Sequence, residues 1–135
     1  MKPLNIENAE LVEKIFGSWP SFHDAEIHNI TLTRDAVQSP QMDVAIHHWE
    51  MTSEVDSRGY YVLKKHTLTT LRFTGISDLH LEGFNHQNVL CELEIAQVTE
   101  PHSEFAVSMP TSFGCEASFK CKQISVLSAV PYEQK

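Results

Sequence analysis

The chain has 135 residues, 41% hydrophobic and 21% charged, an ordinary globular composition that can bury one core without disulfide or metal staples. Ten basic against 18 acidic residues give a formal net charge of −8. Such a surface repels phosphate backbones and anionic lipids, so nucleic acid and membrane are poor partners and a basic protein is a reasonable one.

Leu11, Val12, Ile15 and Phe16 share one helical face, which predicts a helix over about residues 8–16. Asn8 is the expected N-cap, Glu10 suits the positive end of the helix dipole, and Gly17 can end the helix before Pro20. Beyond it the period falls to two, and residues 22–130 read as β-structure. A strand is expected over about 22–34. Ile27 is out of phase with Ile30 there, which predicts a bulge or a two-sided buried stretch near His28-Asn29. Asp35 to Pro40 reads as a turn. Over 41–51, Met42, Val44 and Ile46 share a face, whereas Trp49 and Met51 fall on the other, so the buried side is expected to switch. Thr52 to Gly59 reads as a polar connecting loop. Tyr60 to Thr74 reads as one long strand, with Tyr61, Leu63, Leu71 and Phe73 on one face and Lys64, His66, Thr70 and Arg72 on a wet one. Shorter strands are expected over 77–84, 89–96, 105–109 and 115–127, with turns at 83–88 and at Pro101-His102, and Pro131 ends the series. No helical pattern recurs between strands, which argues against βαβ units. The expected fold is one α+β domain over 1–135, mainly antiparallel β, with the N-terminal helix packed on a meander or sandwich of about seven strands.

No stretch approaches the roughly 18 apolar residues of a membrane helix. The opening Met1-Lys2-Pro3-Leu4-Asn5 starts no apolar signal region, so the cytoplasm is the expected location. Cys91, Cys115 and Cys121 are odd in number and match no zinc or redox spacing; they read as reduced, buried small hydrophobes. The glycines are scattered, without a phosphate-binding loop, and no cofactor is expected.

Eight histidines are many for this length. On a strand only i and i+2 point the same way, and no His-x-His pair or His-Glu-x-x-His helix occurs. His47 and His48 are adjacent and should face opposite sides, so no metal site is expected. His23-Asp24 could form an acid/base pair, but no nucleophile announces itself, and the structural reading is that one of them bonds backbone at the helix–strand corner. Asn85, His86 and Asn88 suit either a self-bonded turn or recognition of a partner's polar groups. Trp49 and Tyr60 are candidate interface anchors, with the acidic Glu54 and Asp56 beside them.

The run Phe16-Gly17-Ser18-Trp19-Pro20-Ser21-Phe22-His23-Asp24-Ala25-Glu26-Ile27 resembles the opening motif of the Immunity protein 50 family. Gly83-Phe84-Asn85-His86-Gln87-Asn88 and Gly114-Cys115-Glu116-Ala117-Ser118-Phe119-Lys120-Cys121 resemble later parts of it. The resemblance spans about residues 14–128. It implies a small bacterial, non-enzymatic protein, a monomer or homodimer, that binds and neutralises a cognate toxin domain of a polymorphic toxin system. It carries over no catalytic residues. Two other readings stand beside it: a small hydrolase or metal-dependent enzyme using His23, Asp24 and a third group such as His86, and a homo-oligomeric structural protein.

Overall fold

The period-two alternation builds strands almost throughout. The computed structural model describes residues 5–34, 40–98 and 104–133. The expected turn at Pro101-His102, and all of the Asp35–Pro40 turn except Pro40, lie outside them. In chain order the elements are β1 (Ile6–Glu7), α1 (Glu10–Phe16), β2 (Glu26–Thr33), β3 (Gln41–Val55), β4 (Tyr61–Thr74), β5 (Ser77–Glu82), β6 (Val89–Leu90), β7 (Glu94–Val98), β8 (Glu104–Met109), β9 (Thr111–Phe113), β10 (Glu116–Cys121) and β11 (Gln123–Pro131). The large sheet has the order β1-β11-β4-β3-β2-β6-β9 and the small sheet β5-β10-β8-β7. Every pairing is antiparallel except that of β1 with β11. The fold is therefore α+β and mostly antiparallel β, with more and shorter strands than the sequence suggested.

The inner faces of the two sheets share one core. Met42, Val44, Ile46, Leu71 and Phe73 of the large sheet are fully buried. Val107, Met109, Ala117, Phe119 and Cys121 of the small sheet belong to the same cluster. Phe73 meets Phe119 edge to face at 5.0 Å between ring centroids, a favoured aromatic geometry. Burying each large side chain of this set contributes about 1.5–3 kcal/mol.

The helix starts later than expected. Asn8 does not cap it: Asn8 sits in the left-handed region at φ 61, and Ala9 occupies the N-cap position without a side-chain bond. Gly17 ends the helix at φ 86, its N–H bonded to the Glu13 carbonyl. The helix buries Val12 completely and packs against β11 and β4.

Two expected strands are each cut in two. Residues 89–96 are not one strand: β6 belongs to the large sheet and β7 to the small one, and the chain crosses between them at Cys91–Leu93. Residues 115–127 divide likewise into β10 and β11 around Lys122. In both places the buried phase shifts, from Leu90 to Leu93 and from Cys121 to Ile124, as it must when a chain leaves one inner face for the opposite one. The expected strand over 22–34 begins only at Glu26, because Phe22–Ala25 forms a turn closed by the Ala25 N–H on the Phe22 carbonyl at 3.1 Å. The register shift between Ile27 and Asn29 marks the predicted bulge at His28, and the shift between His48 and Glu50 marks the change of side near Trp49.

Candidate functional site

The three stretches that carry the family resemblance meet at one end of the molecule. Asn88 is buried and lies at the centre. Its Oδ1 accepts from the backbone N–H groups of Asn85 (2.8 Å) and Cys115 (3.0 Å), and its Nδ2 donates to the carbonyls of Asn85 (2.9 Å) and Ile27 (3.4 Å). The Ile27 N–H returns a bond to the Asn88 carbonyl at 2.9 Å. One amide thus ties the 83–88 turn, β2 and the Gly114-Cys115 corner together. Gly114, at φ 87, admits no side chain, since a Cβ would lie 2.2 Å from the Gln87 carbonyl oxygen and 2.7 Å from Asn88 Oδ1.

His23 joins the same brace. Its Nδ1 donates to the Cys91 carbonyl at 2.7 Å, and next to it the Asp24 N–H donates to the Leu90 carbonyl at 3.0 Å. The Asp24 carboxylate sits 3.4 Å from His23 Nε2, with both side chains well exposed. His23 lines a cavity with Phe22, His48 and Trp49, whereas His86 lines another with Glu26, His28 and Tyr132. The structure thus does not gather His23, Asp24 and His86 into one pocket. His86 instead bonds the Asn85 side chain next to it. Removing the Cys91 tether with His23→Ala should lower stability by about 1–2 kcal/mol, the worth of one partly exposed hydrogen bond with its packing. Urea denaturation measures it, and no change would mean that the corner holds without the bond.

The candidate partner contacts lie on a hairpin arm. β3 pairs with β2 only as far as His47, and β4 pairs with β11 only as far as Thr67. Beyond these points the Tyr132 N–H still bonds the His66 carbonyl at 3.0 Å, and over 50–65 the two strands pair only with each other among the described residues. Met51 stands opposite Leu63, and Val55 opposite Tyr61. All four are exposed, Val55 and Tyr61 by 57% and 59%. This corrects the reading of Tyr61 and Leu63 as residues of the same face as Leu71 and Phe73, since those two are core and these are not; a left-handed Lys65 at φ 58 interrupts the strand between them. The polar segment is also shorter than expected: β3 runs on to Val55. Asp56 closes the turn, its Oδ1 accepting from the N–H groups of Arg58 (2.8 Å) and Tyr60 (3.1 Å). Glu54 pairs with Lys64 at 3.3 Å and Glu50 with Lys65 at 2.8 Å. With three carboxylates and three cations over 49–66, the arm is electrically balanced. Tyr60 is 67% exposed, beneath the Arg58 guanidinium.

At the root of the arm is a cluster that the sequence did not reveal. His47 and His48 face opposite sides, as expected, and both are buried at 2% exposure. His48 points inward between Phe16 and Phe22 (4.8 and 4.5 Å) and bonds Thr69 Oγ1 through Nε2 at 2.6 Å. Its Nδ1 meets no partner among the described residues, so the favoured tautomer carries the proton on Nε2 and leaves only an acceptor unsatisfied. His47 points outward, beneath Tyr132 at 4.1 Å and beside His28, Trp49 and His66. Its Nε2 is 3.0 Å from His66 Nδ1. Glu26 is its cross-strand neighbour.

Burial pushes both histidines down to about 4, with His66 and His28 adding to the effect on His47, and His47 to that on His48. The folded values lie below the ordinary 6.5, so the unfolded chain binds more protons as the pH falls. Stability is complete above about pH 6.5 and drains away towards pH 4. Between pH 7 and pH 5 the loss is about 2 kcal/mol per histidine. Denaturation in EDTA-containing buffer at the two pH values measures it. His48→Gln should fall about half as far, and a flat wild-type profile would contradict the burial of both rings.

Of the three cysteines, Cys115 and Cys121 are buried free thiols, and burial raises both, Cys121 to about 12. Cys91 departs from the expectation of burial: it is half-buried, its sulfur 3.3 Å from Ser112 Oγ. No helix among the described residues is long and apolar enough to cross a membrane.

The described residues thus form a braced two-sheet β-domain with a hairpin arm that runs past its sheet neighbours. The family model of Immunity protein 50 matches residues 8–132, and the chain belongs to that family. No curated protein and no solved structure matches it significantly.

Proposed function

We propose that the protein neutralises a cognate bacterial toxin domain of a polymorphic toxin system by binding it arm first in the cytoplasm and occluding its active or substrate-binding face. Family membership supports a toxin as the partner. The observation that carries the choice of surface is the row of Met51, Val55, Tyr61 and Leu63 on one face of a hairpin with no sheet neighbour. Exposed apolar side chains grouped in this way mark interaction surfaces, and aromatic anchors dominate their energetics.

Charge acts from elsewhere. Glu54 is paired and Asp56 is spent on the turn, so the tip supplies shape and apolar area. The outer face of the small sheet carries the excess acid: Glu82 faces Glu116 across the β5–β10 pair, with Glu94 and Glu104 on the neighbouring strands. That face and the net charge of −8 would steer a basic toxin into encounter, with binding itself resting on the arm.

The test is a calorimetric titration with the toxin domain encoded beside this chain, at low and moderate salt. Tight one-to-one binding, with association slowing as salt rises, supports the proposal. No heat at micromolar concentrations of that toxin domain, together with a stable dimer by light scattering that Tyr61→Ser breaks, would replace it with self-association through the arm.

A further inference from the structure

We propose that Glu26, His28 and His47 form a binding site for a divalent first-row transition ion, Zn²⁺ foremost, at the root of the arm. Each of the three offers one ligand atom, and these atoms all lie within 4.8 Å of one another. Ligands on a tetrahedral zinc, at bonds of about 2.0–2.1 Å, stand about 3.3 Å apart. Glu26 Oε1 and His28 Nε2 are already at 3.7 Å. Glu26 and His28 are partly exposed, His28 packing edge-on against Tyr132 at 5.1 Å, while ring contacts on several sides hold His47 in place. Two imidazoles and one carboxylate are a zinc donor set that leaves a fourth position for water.

The local fold explains the convergence. The β2–β3 register sets Glu26 opposite His47, and His28, two residues beyond Glu26 on β2, brings a second imidazole to the same side. Glu26 and His28 line a cavity of about 350 Å³ whose walls also include Asn85, His86 and Tyr132. His66 Nδ1 lies 3.0 Å from His47 Nε2, which leaves Nδ1 of His47 as the nitrogen for the ion, with His66 as the outer partner of the ring. An ion held there would pin β2 to β3 where the arm leaves the sheet. A second group, His80, Glu82 and Glu116, is fully exposed, has a single imidazole and serves as a control.

The test is titration of EDTA-stripped protein with ZnCl₂ by calorimetry and with Co²⁺ by visible absorption. One equivalent should bind in the micromolar range or tighter, with the intense bands of tetrahedral Co²⁺ and a raised melting temperature. His28→Ala, at a partly exposed position that need not disturb folding, should weaken binding at least about tenfold, and Glu26→Gln should weaken it as well. His80→Ala should leave it unchanged. Absence of saturable binding, affinity untouched by both His28→Ala and Glu26→Gln, or affinity lost with His80→Ala would overturn the assignment. None of these readouts involves the toxin, so the site stands or falls apart from the immunity reading.

Discussion

Asn88→Ala should lower the stability of the domain by about 3–4 kcal/mol. The substitution strands the buried N–H of Cys115, at about 1–3 kcal/mol for an unsatisfied group, and takes the acceptor from the part-buried N–H of Asn85. It also removes both bonds donated by Nδ2. Asn88→Asp should rescue little: a carboxylate can accept the same two bonds but cannot donate the other two, and it would have to be buried with its charge. Gly114→Ala tests the brace from its other side. Its Cβ would enter the space of Gln87 O and Asn88 Oδ1, and φ 87 is itself unfavourable for alanine, so a loss of the same order follows. Urea denaturation reads all three. A loss below about 1 kcal/mol for Asn88→Ala would show that the corner is held by something other than this amide.

The second large effect concerns binding alone. Met51→Ala with Tyr61→Ala should weaken the toxin complex by at least about a hundredfold, near 3 kcal/mol, since central apolar anchors carry most of an interface's energy. Both side chains are more than half exposed in the free protein, so the melting temperature should hold within a degree or two. Glu54→Gln should change affinity little, because that carboxylate already spends its charge on Lys64. If Glu54→Gln weakened binding more than the double variant, recognition at the tip would be electrostatic, and the apolar row would lose its role.

Much of this fold can be read from the order of its residues, and the places where reading stops have physical causes. The helix face, its glycine stop and the two phase breaks at His28 and Trp49 are local features, and they appear where the pattern puts them. The crossings at Cys91–Leu93 and at Lys122 also leave a mark, a shift of the buried phase, but continued alternation disguises each as one strand. Asn88 could be singled out as a turn residue, though not as a hub, because three of its partners lie 27 or 61 residues away. The histidine cluster is harder still. It depends on which strands are neighbours, and its one sequence signal is Glu26-x-His28, an i, i+2 pair that a search for His-x-His passes over. The arm is hidden because the pattern reads 22–34 as longer than 41–51, whereas β3 has 15 residues and β2 only 8, so part of β3 runs past its neighbour.

In the proposed function the labour is divided: residues that carry the family resemblance brace the corner around Asn88, and the hairpin arm would meet the partner. The most direct test is hydrogen–deuterium exchange of the protein alone and saturated with its toxin domain. New protection is expected over residues 50–64, with unchanged exchange over 83–90 and 111–116. Protection confined to those two braced segments, with the arm exchanging as it does in the free protein, would contradict the proposed function.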